Sequence, residues 1–284
     1  EDSEEEDSEE EDESESDEIL DNEANTYDAI ATDFREVFRP YIKSFFVKHT
    51  DCTLIRLVKL RILTNLSSSV NVNQILRELQ AYIAIYVDDI EFVSASIHAI
   101  GRCAVIVKEV AHLCLNGLTK LLSNNNEHIV SEAIVVLRSQ IINKKINELD
   151  ESHEQMVSTV IKQVTKLLPT VTAPQARATI IWILAEFCDK NSTAAKCAPN
   201  VLRLIAKSIC QEDNFVKLQA LTFSSKLLLS LDKEKKADLY NKVRLLANYT
   251  FSVAKYDKDH DVRDRGRFLK KLLEDEQLCA KVFQ

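Results

Sequence analysis

The sequence predicts an all-α protein built from stacked helical repeats, and three observations support this prediction. Only three Gly and four Pro occur among 284 residues, too few for a sheet with many tight turns or for a Gly-rich phosphate-binding loop. Apolar residues recur at intervals of three and four, as on one face of an amphipathic helix. The same apolar spacing then returns after intervals of about forty residues.

The chain begins with an acidic tract. Residues 1–18 are all Asp, Glu or Ser and hold 14 of the 45 acids, so the rest of the chain has a formal charge of +5 against −9 for the whole. Such a segment has nothing to bury and repels itself, so we expect residues 1–26 to be disordered. Ser3, Ser8 and Ser14 each precede an acid by three residues. They are candidate sites for an acidophilic kinase, and a plain solvated spacer is the alternative interpretation.

From residue 27 onward the pattern is helical, and we assign residues 27–284 to one helical solenoid domain. One helix is expected to start at Pro40, because the first helical turn has no intrahelical partner for the N–H that proline lacks. The later helices are predicted at 52–68, 72–87, 89–107, 109–123, 127–146, 152–168, 174–188, 199–210, 213–231, 236–255 and 259–274.

An apolar triplet at positions i, i+4 and i+7 defines the repeat. Its first position falls on Val93, Val130, Ala176, Val216 and Val262, which are 37, 46, 40 and 46 residues apart. This is the length of a two- or three-helix unit of the HEAT or armadillo kind, whose units bury their apolar stripes against one another. The sequence therefore predicts an α-solenoid of HEAT/armadillo-like repeats with extended surfaces for partners. A closed helix bundle is the alternative fold.

Metal and catalytic sites have little support in the sequence. His98, Cys103, His112 and Cys114 come nearest to a zinc cluster, but no two of the six histidines have the i, i+4 spacing of a helix-borne site. The seven cysteines lack Cys-x-x-Cys spacing and lie mostly in apolar stretches, so we expect buried, reduced thiols. No phosphate-loop, esterase, zinc-protease or kinase motif occurs, so we expect neither an enzyme nor a cofactor. An enzyme that uses Cys103 or Cys188 is the alternative.

Three aspartates near the end of the chain imitate the first positions of an EF-hand calcium loop: Asp257, Asp259 and Asp261. Val262 stands where that loop needs a glycine, and Phe268 stands where it needs a bidentate glutamate. We therefore expect Asp259 to cap the N-terminus of a helix and expect no calcium site.

The helix that follows carries the densest basic cluster in the chain, Arg263, Arg267, Lys270 and Lys271. Their spacing brings them near one face, where they are candidates to contact a phosphate, an anionic lipid headgroup or an acidic partner subunit. A ladder of ion pairs with acids such as Asp264 is the alternative. Nucleic acid is disfavoured as a partner, because the chain outside the acidic tract has a formal charge of only +5.

Eight short strings occur in an order that is familiar from one protein family. They are Phe45–Val47, Ile62–Leu66, Leu76–Glu78, Ile100–Ala104, Cys114–Leu118, Ala198–Arg203, Val216–Gln219, and Tyr256–Asp257 with Asp261–Phe268. Together they resemble the trunk of β-adaptins, the large β chains of heterotetrameric vesicle adaptor complexes, and most closely that of the third adaptor complex. The last string is the most specific of them.

This resemblance implies an armadillo-like trunk that pairs with a second large adaptin, holds a medium and a small subunit, and recruits cargo into coated carriers. It implies a cytoplasmic protein, peripheral on Golgi, endosomal and coated-vesicle membranes, that serves transport to lysosomes, vacuoles or related organelles. The chain would correspond to the later trunk repeats, near the amino-terminal domain of the medium subunit. The early trunk, the hinge, the ear and the family's clathrin contacts have no counterpart in these strings.

The alternative from a different class is a nuclear transport receptor of armadillo type, or another solenoid scaffold. Such receptors bind extended peptides with repeated Trp and Asn side chains. This chain has a single Trp, Trp182, and Glu186 stands four residues later where an Asn would be needed. The sequence therefore favours the adaptor interpretation.

Overall fold

The structure, a computed structural model, describes residues 35–124, 126–145, 151–231 and 237–283. Throughout these ranges the regular secondary structure is helical, which confirms the predicted all-α class. None of the described helices is long and apolar enough to span a membrane. The predicted disorder and the candidate phosphorylation sites lie outside the described residues: residues 1–26, Ser3, Ser8 and Ser14.

The chain divides into two units, residues 1–78 and 79–284. The first unit contains a 3-10 helix, Arg39–Phe45, and helix α1, Thr53–Asn65. The segment predicted to be a helix from Pro40 is therefore of the tighter 3-10 type. The segment is kinked at Tyr41, whose backbone angles are not helical, and it ends where the backbone becomes extended at Phe46.

Helix α1 buries one face and leaves another exposed. Leu60 and Leu63 are buried, whereas Leu54 and Val58 are 74% and 59% exposed. The loop before the helix is held by Asp51, whose Oδ2 lies 2.6 Å from Lys59 Nζ and accepts a hydrogen bond from the Lys48 N–H. These hydrogen bonds lower the pKa of Asp51 below its usual value.

Helix α2, Val72–Ile85, runs across the division between the units. The second unit then continues as a series of helices joined by short connections. They are α3 (Ile90–Ile106), α4 (Ala111–Leu121), α5 (Glu127–Lys145), α6 (Glu151–Leu167), α7 (Pro174–Phe187), α8 (Ser192–Ser208), α9 (Asn214–Ser230), α10 (Ala237–Ala254), α11 (His260–Leu272) and α12 (Glu276–Phe283), with a 3-10 turn at Lys108–Val110.

The helices of the second unit stack in two rows. Helices α3, α5, α7, α9 and α11 form the first row, in which each helix packs on the next. Helices α6, α8 and α10 pack in order as the second row, and consecutive helices close the gap between the rows as hairpins. This arrangement is that of an α-solenoid, because each helix contacts mainly the helices of its own and the neighbouring repeats.

The repeat predicted from the apolar triplets is confirmed. The first residue of every triplet is at most 4% exposed, and the second and third positions are buried in all five helices. Phe223, the third residue of the triplet in α9, is the largest of these side chains and is fully buried. The triplets therefore form the apolar seam of the first row.

Two helix assignments made from the sequence were wrong. The helix predicted at 199–210 begins at Ser192, because the Asn191 side chain accepts hydrogen bonds from the Thr193 and Ala194 N–H groups and caps it there. Pro199 lies inside this helix and not in its first turn. Helix α12 was not predicted at all, since its eight residues are too few for a periodic pattern.

Two helical glycines, Gly101 and Gly117, differ in how much space a Cβ atom would have between their helix and its neighbour. A Cβ on Gly101 of α3 would lie 2.5 Å from Val136 Cγ1 of α5, and Gln140 Nε2 donates to the Gly101 carbonyl oxygen at 2.8 Å. A Cβ on Gly117 of α4 would meet only the end of the Gln80 side chain, at 3.1 Å. Val136 is buried and β-branched, so it has few ways to move, whereas the exposed Gln80 can rotate away.

We therefore expect the two Gly→Ala variants to differ in sign. Gly101→Ala should lower the free energy of unfolding by about 1–2 kcal/mol, because overpacking exceeds the gain in helix propensity. Gly117→Ala, the matched control, should be neutral or stabilising by up to about 1 kcal/mol. Urea unfolding followed by circular dichroism measures both, and a stabilised Gly101→Ala protein would contradict the close crossing of α3 and α5.

Candidate functional site

Helix α11 carries the basic cluster identified in the sequence, and its start is fixed by Asp259. The Asp259 Oδ1 accepts hydrogen bonds from the Asp261 N–H at 2.8 Å and the Val262 N–H at 3.3 Å. This confirms the predicted cap. One face of the helix is buried in the core, and its residues are Val262, Gly266, Leu269 and Leu272. The basic residues consequently lie on the side of α11 that faces away from the core.

Arg263 is engaged by its own loop. Its Nη1 donates to the Asp257 carbonyl oxygen at 2.6 Å and to the Lys258 carbonyl oxygen at 2.9 Å, and its Nη2 lies 2.5 Å from His260 Nδ1. The side chain is only partly exposed. Arg263 therefore stabilises the turn that precedes α11. The spacing of the basic residues in the sequence did not indicate this role.

The other three basic residues are exposed. Arg267 Nη1 lies 3.1 Å from Asp264 Oδ1, in a pair whose side chains are 61% and 75% exposed. Such a pair is weak and leaves both groups open to other partners. Lys271 is exposed on the same helix, and Lys270 borders a cavity of about 450 Å³. The structure thus brings Arg267, Lys270 and Lys271 together and sets Arg263 apart.

The cavity beside Lys270 lies among the end of α9 and helices α10, α11 and α12. Leu228, Tyr240, Phe251 and Leu273 line it together with Arg244, Glu274 and Cys279. A second depression, of about 610 Å³, lies between α9 and α11. Its lining residues are Leu218, Gln219, Thr222, Asp261, Asp264, Arg265 and Phe268. Both openings mix apolar and charged groups, as protein-binding surfaces do.

Phe268 is the most prominent apolar side chain of that second depression. It is 52% exposed, at the position where a calcium loop would need its final glutamate. Exposed aromatic rings are frequent anchors at protein interfaces. The outward side of α11 therefore combines an aromatic ring with the cations Arg267 and Lys271.

The aspartates that imitate a calcium loop are used within the protein. Asp257 Oδ2 lies 2.8 Å from Lys217 Nζ, and Asp257 Oδ1 accepts a hydrogen bond from the Asp259 N–H. The Asn214 side-chain amide donates to Asp259 Oδ2 at 2.7 Å. These bonds tie the loop before α11 to the start of α9, which is one repeat earlier.

The Lys217–Asp257 pair should make stability depend on acid pH. Burial alone would raise the pKa of Asp257, but hydrogen bonds from Lys217 and from the Asp259 N–H bring it below its ordinary value of 3.8. Because the folded-state pKa is lowered, the stabilisation is complete above pH 3.8 and is lost as the pH falls through the folded value.

We expect Asp257→Asn to lower the free energy of unfolding by about 1–3 kcal/mol at neutral pH. The difference from wild type should shrink below the unfolded pKa of the carboxyl group, where wild-type Asp257 also becomes neutral. Thermal unfolding of both proteins between neutral and acid pH measures this. A constant difference across the whole range would show that the carboxylate charge is not the cause.

A basic residue at repeat junctions is a feature that sequence reasoning missed. Arg177 follows the triplet residue Ala176, just as Lys217 and Arg263 follow their own triplet residues. Arg177 Nε donates to Glu212 Oε2 at 2.9 Å, and its Nη2 forms a second bond to the other carboxylate oxygen. Its Nη1 donates to the carbonyl oxygens of Leu168 and Val171. The only available signal was the recurrence of Arg or Lys directly after three triplet positions.

The prediction of buried cysteines was only partly correct. Cys103, Cys114, Cys188 and Cys279 are buried, but Cys52 and Cys210 are exposed and Cys197 is intermediate. The two exposed residues stand outside the helical stripes, Cys52 just before α1 and Cys210 in the turn after α8. All seven are free thiols.

The buried thiols are poor nucleophiles. Burial raises the pKa of Cys188, an effect that a hydrogen bond with Ser230 only partly offsets, and Cys188 Sγ donates to the Ala185 carbonyl oxygen. Burial together with the charge of Asp275 raises the pKa of Cys279. Since the thiolate is the reactive form, this environment disfavours the alternative of an enzyme that uses Cys188.

We expect alkylation of the native protein to separate the cysteines by exposure. At neutral pH, Cys52 and Cys210 should react with iodoacetamide first, while Cys188 and Cys279 should react only on unfolding. Mass spectrometry of peptides from timed samples gives the order. Rapid labelling of Cys188 in the folded protein would contradict the assignment and would favour a catalytic thiol.

His98, a candidate zinc ligand, and Trp182, the single tryptophan, both contact other side chains of the chain. His98 Nε2 lies 3.0 Å from Glu132 Oε2 across the α3–α5 contact, and the described residues contain no group of three His, Cys, Asp or Glu that is able to hold a metal ion. The Arg138 guanidinium stacks over the Trp182 ring at 4.6 Å. The one tryptophan is thus covered by a cation of the chain itself.

Comparison with known proteins gives a consistent set of similarities. The family model of the adaptin N-terminal region matches residues 26–277. AP-3 complex subunit beta-1 of Bos taurus is 42% identical over 237 residues, which cover 84% of this chain and 20% of that protein. AP-3 complex subunit beta of Dictyostelium discoideum is 31% identical over 273 residues, with coverages of 82% and 24%. AP-1 complex subunit beta-1 of Homo sapiens is 32% identical over 247 residues, with coverages of 87% and 24%.

The chain therefore spans between a fifth and a quarter of the length of these relatives. Among solved structures, a homology model of the full-length AP-3 complex in an intermediate open conformation matches with a TM-score of 0.64 and 24% identity, covering 84% of this chain and 40% of that chain. A designed armadillo repeat protein in complex with a (KR)4 peptide matches with a TM-score of 0.55 and 14% identity, with coverages of 83% and 99%. These two similarities concern the fold alone.

Proposed function

This chain belongs to the adaptin family, and on that premise we propose that it is the later trunk part of the β subunit of a vesicle adaptor complex of the AP-3 type. In this role the chain is a scaffold for intracellular protein transport and carries out no catalysis. Stacked repeats hold partner subunits so that cargo and membrane contacts face the same bilayer. In this proposal residues 27–284 are the helical trunk, and the acidic tract of residues 1–26 precedes it.

The observation that best supports this proposal is the two-row stack of helices in the second unit, together with the sequence identity to the β subunits. A solenoid leaves long helix faces open for partners, whereas an enzyme needs a reactive cleft. Among the polar side chains of this stack, Asn191 caps α8 and Arg177 joins neighbouring repeats.

The proposed partners are a second large adaptin, a medium subunit and a small subunit. The complex associates peripherally with the cytosolic face of Golgi, endosomal and coated-vesicle membranes and sorts cargo toward lysosomes, vacuoles or related organelles. Neither a cofactor nor nucleic acid takes part. Arg267, Lys270 and Lys271 form the proposed partner contact on α11, beside the Phe268 ring. Arg263, in the first turn of α11, supports that contact by holding the loop that precedes the helix.

Phosphorylation of Ser3, Ser8 and Ser14 is the proposed regulation of the acidic tract. Each phosphate adds between one and two negative charges at neutral pH, which enlarges the charge of a segment that already holds 14 acids.

Affinity purification of the tagged chain from cytosol tests the function. We expect the other adaptor subunits to co-purify, and we expect cross-links from Lys270 or Lys271 to reach one of them. Recovery of nuclear import cargo without any adaptor subunit would overturn the proposal in favour of a transport receptor. A variant with Arg267, Lys270 and Lys271 changed to Gln tests the site separately, since an unchanged subunit yield would remove these residues from the interface while leaving the function in place.

A further inference from the structure

The two helix rows of the second unit differ in how they use charge. In the first row, acidic side chains pair with basic ones. The pairs are Glu132 with His98, Glu186 with Lys226, and Asp264 with Arg267. In the second row, exposed cations stand on α6, α8 and α10 with few acids among them. Apart from Arg244, which lines the cavity of about 450 Å³, they are Lys162, Lys166, Lys196, Arg203, Lys207 and Lys242. We call this set the outer-row cations.

Helix periodicity places these cations on the outward side of their helices. In α6, Val157, Val160 and Val164 are buried, and Lys162 and Lys166 lie about half a turn away from them. In α8 the buried stripe includes Ala198, Leu202 and Ile205. Opposite that stripe lie Lys196, Arg203 and Lys207, all of which are exposed.

Few acids lie among the outer-row cations in the part of the second row that the structure describes. Helix α8 contains no Asp or Glu, and the described side chains of α6 include none. Glu151 and Glu154 open α6, but their side chains lie outside the described set. On α10 the exposed acid is Asp238, in the first turn. Arg203 donates hydrogen bonds to the Asn200 side-chain oxygen, which is a neutral partner.

The cations of neighbouring helices are close enough to act on one surface. Packed helices lie about 8–10 Å apart, which is comparable to the Debye length at physiological salt. Helices α6 and α8 pack together, as do α8 and α10. The outward side of the second row thus carries exposed cations on three helices that pack in order.

Apolar side chains lie at the α10 edge of this face. Leu245 and Tyr249 are 69% and 49% exposed on the outward side of α10, and Tyr256 just after the helix is 79% exposed. Exposed tyrosine and leucine side chains near lysines are typical of protein surfaces that bind at a membrane interface. A stable protein interface is instead depleted in lysine, and five of the six outer-row cations are lysines.

From this charge complementarity we propose that the outward side of α6, α8 and α10 docks on an anionic lipid bilayer. The lysines supply diffuse attraction to negatively charged headgroups, for which a compact ammonium suffices, and Leu245 and Tyr249 enter the headgroup region. This contact is distinct from the α11 cluster. It goes beyond the proposed scaffold function, because the chain itself would touch lipid without any other subunit.

Vesicle co-sedimentation of the complete chain tests the proposal. The vesicles contain phosphatidylcholine alone or phosphatidylcholine and phosphatidylserine in equal amounts. The outer-row variant changes Lys162, Lys166, Lys196 and Lys207 to Gln. The matched control removes four exposed cations elsewhere: it changes Lys43, Arg61, Arg77 and Arg102 to Gln. Glutamine is a good helix former, and circular dichroism verifies that each variant is folded.

We expect wild type to bind the phosphatidylserine vesicles, to bind phosphatidylcholine alone weakly, and to be released by added salt. The outer-row variant should bind at least about tenfold more weakly, because each lysine near the surface contributes a factor of about five. The matched control should bind like wild type. A further variant with Arg in place of the same four lysines keeps the charge and should also bind like wild type, which excludes damage to the fold.

Equal binding of wild type to both kinds of vesicle, or equal loss in the outer-row variant and the matched control, would overturn the proposal. So would binding of a polyglutamate peptide that depends on the outer-row cations when phosphatidylserine vesicles are not bound, since the face would then serve an acidic protein. The outer-row variant should still co-purify adaptor subunits. That yield reports on the proposed function independently of lipid.

Discussion

Replacing Phe223 by Ala is expected to lower the free energy of unfolding by about 3–5 kcal/mol. The ring is fully buried in α9, and that helix packs on α7, α10 and α11. Removing it takes away the transfer free energy of a large apolar group and leaves a void that neighbours on several sides would have to fill. The seam of the first row is therefore most sensitive at this position.

Phe215→Ala is the matched control, because Phe215 lies in the same helix and is 63% exposed. We expect a change within about 0.5 kcal/mol for it. Urea unfolding of both variants, with the slope compared to wild type, measures the difference. A loss at Phe223 no larger than that at Phe215 would mean that α9 is not held as the structure has it.

Removing the Arg177 side chain should have an effect of similar size for an electrostatic reason. The Arg177 and Glu212 side chains are 17% and 9% exposed, so Arg177→Met leaves the Glu212 carboxylate largely buried without its partner. Breaking such a pair costs about 3–5 kcal/mol. The loop carbonyls of Leu168 and Val171 lose their donor at the same time.

The double variant Arg177→Met, Glu212→Gln should recover part of that loss, because no buried charge is left alone. Arg267→Gln is the control, since its pair with Asp264 is exposed, and we expect a change within about 0.5 kcal/mol. A thermal unfolding series of these variants separates the contributions. If Arg177→Met costs no more than Arg267→Gln, the repeat junction does not depend on this guanidinium.

Local signals in the sequence predicted the helices well. The helices predicted at 89–107, 213–231 and 259–274 each begin at an aspartate, and in the structure that side chain caps the helix: Asp89, Asp213 and Asp259. The start of α8 was wrong because two start signals compete there. Pro199 resembles a first-turn proline, but Asn191 provides the actual cap.

The junction contacts could not be predicted, because each joins residues about one repeat apart. Arg177 reaches Glu212, Lys217 reaches Asp257, and the Thr172 N–H and hydroxyl donate to Glu127. These hydrogen bonds also lower the pKa of Glu127. Spacing along one helix says nothing about which loop of the next repeat faces it. For the same reason the α11 cluster was predicted as four equivalent cations, although the preceding turn occupies Arg263.

The links from Lys217 to Asp257 and from Arg177 to Glu212 also have a mechanical consequence. If the second unit were pulled apart along its stack, the load would pass from one junction to the next, because few contacts bypass a repeat. Each junction would then open as a separate step, and a stretched unit should lengthen one repeat at a time. The weakest junction, and not the total stability of the unit, would set the force at which the stack first lengthens.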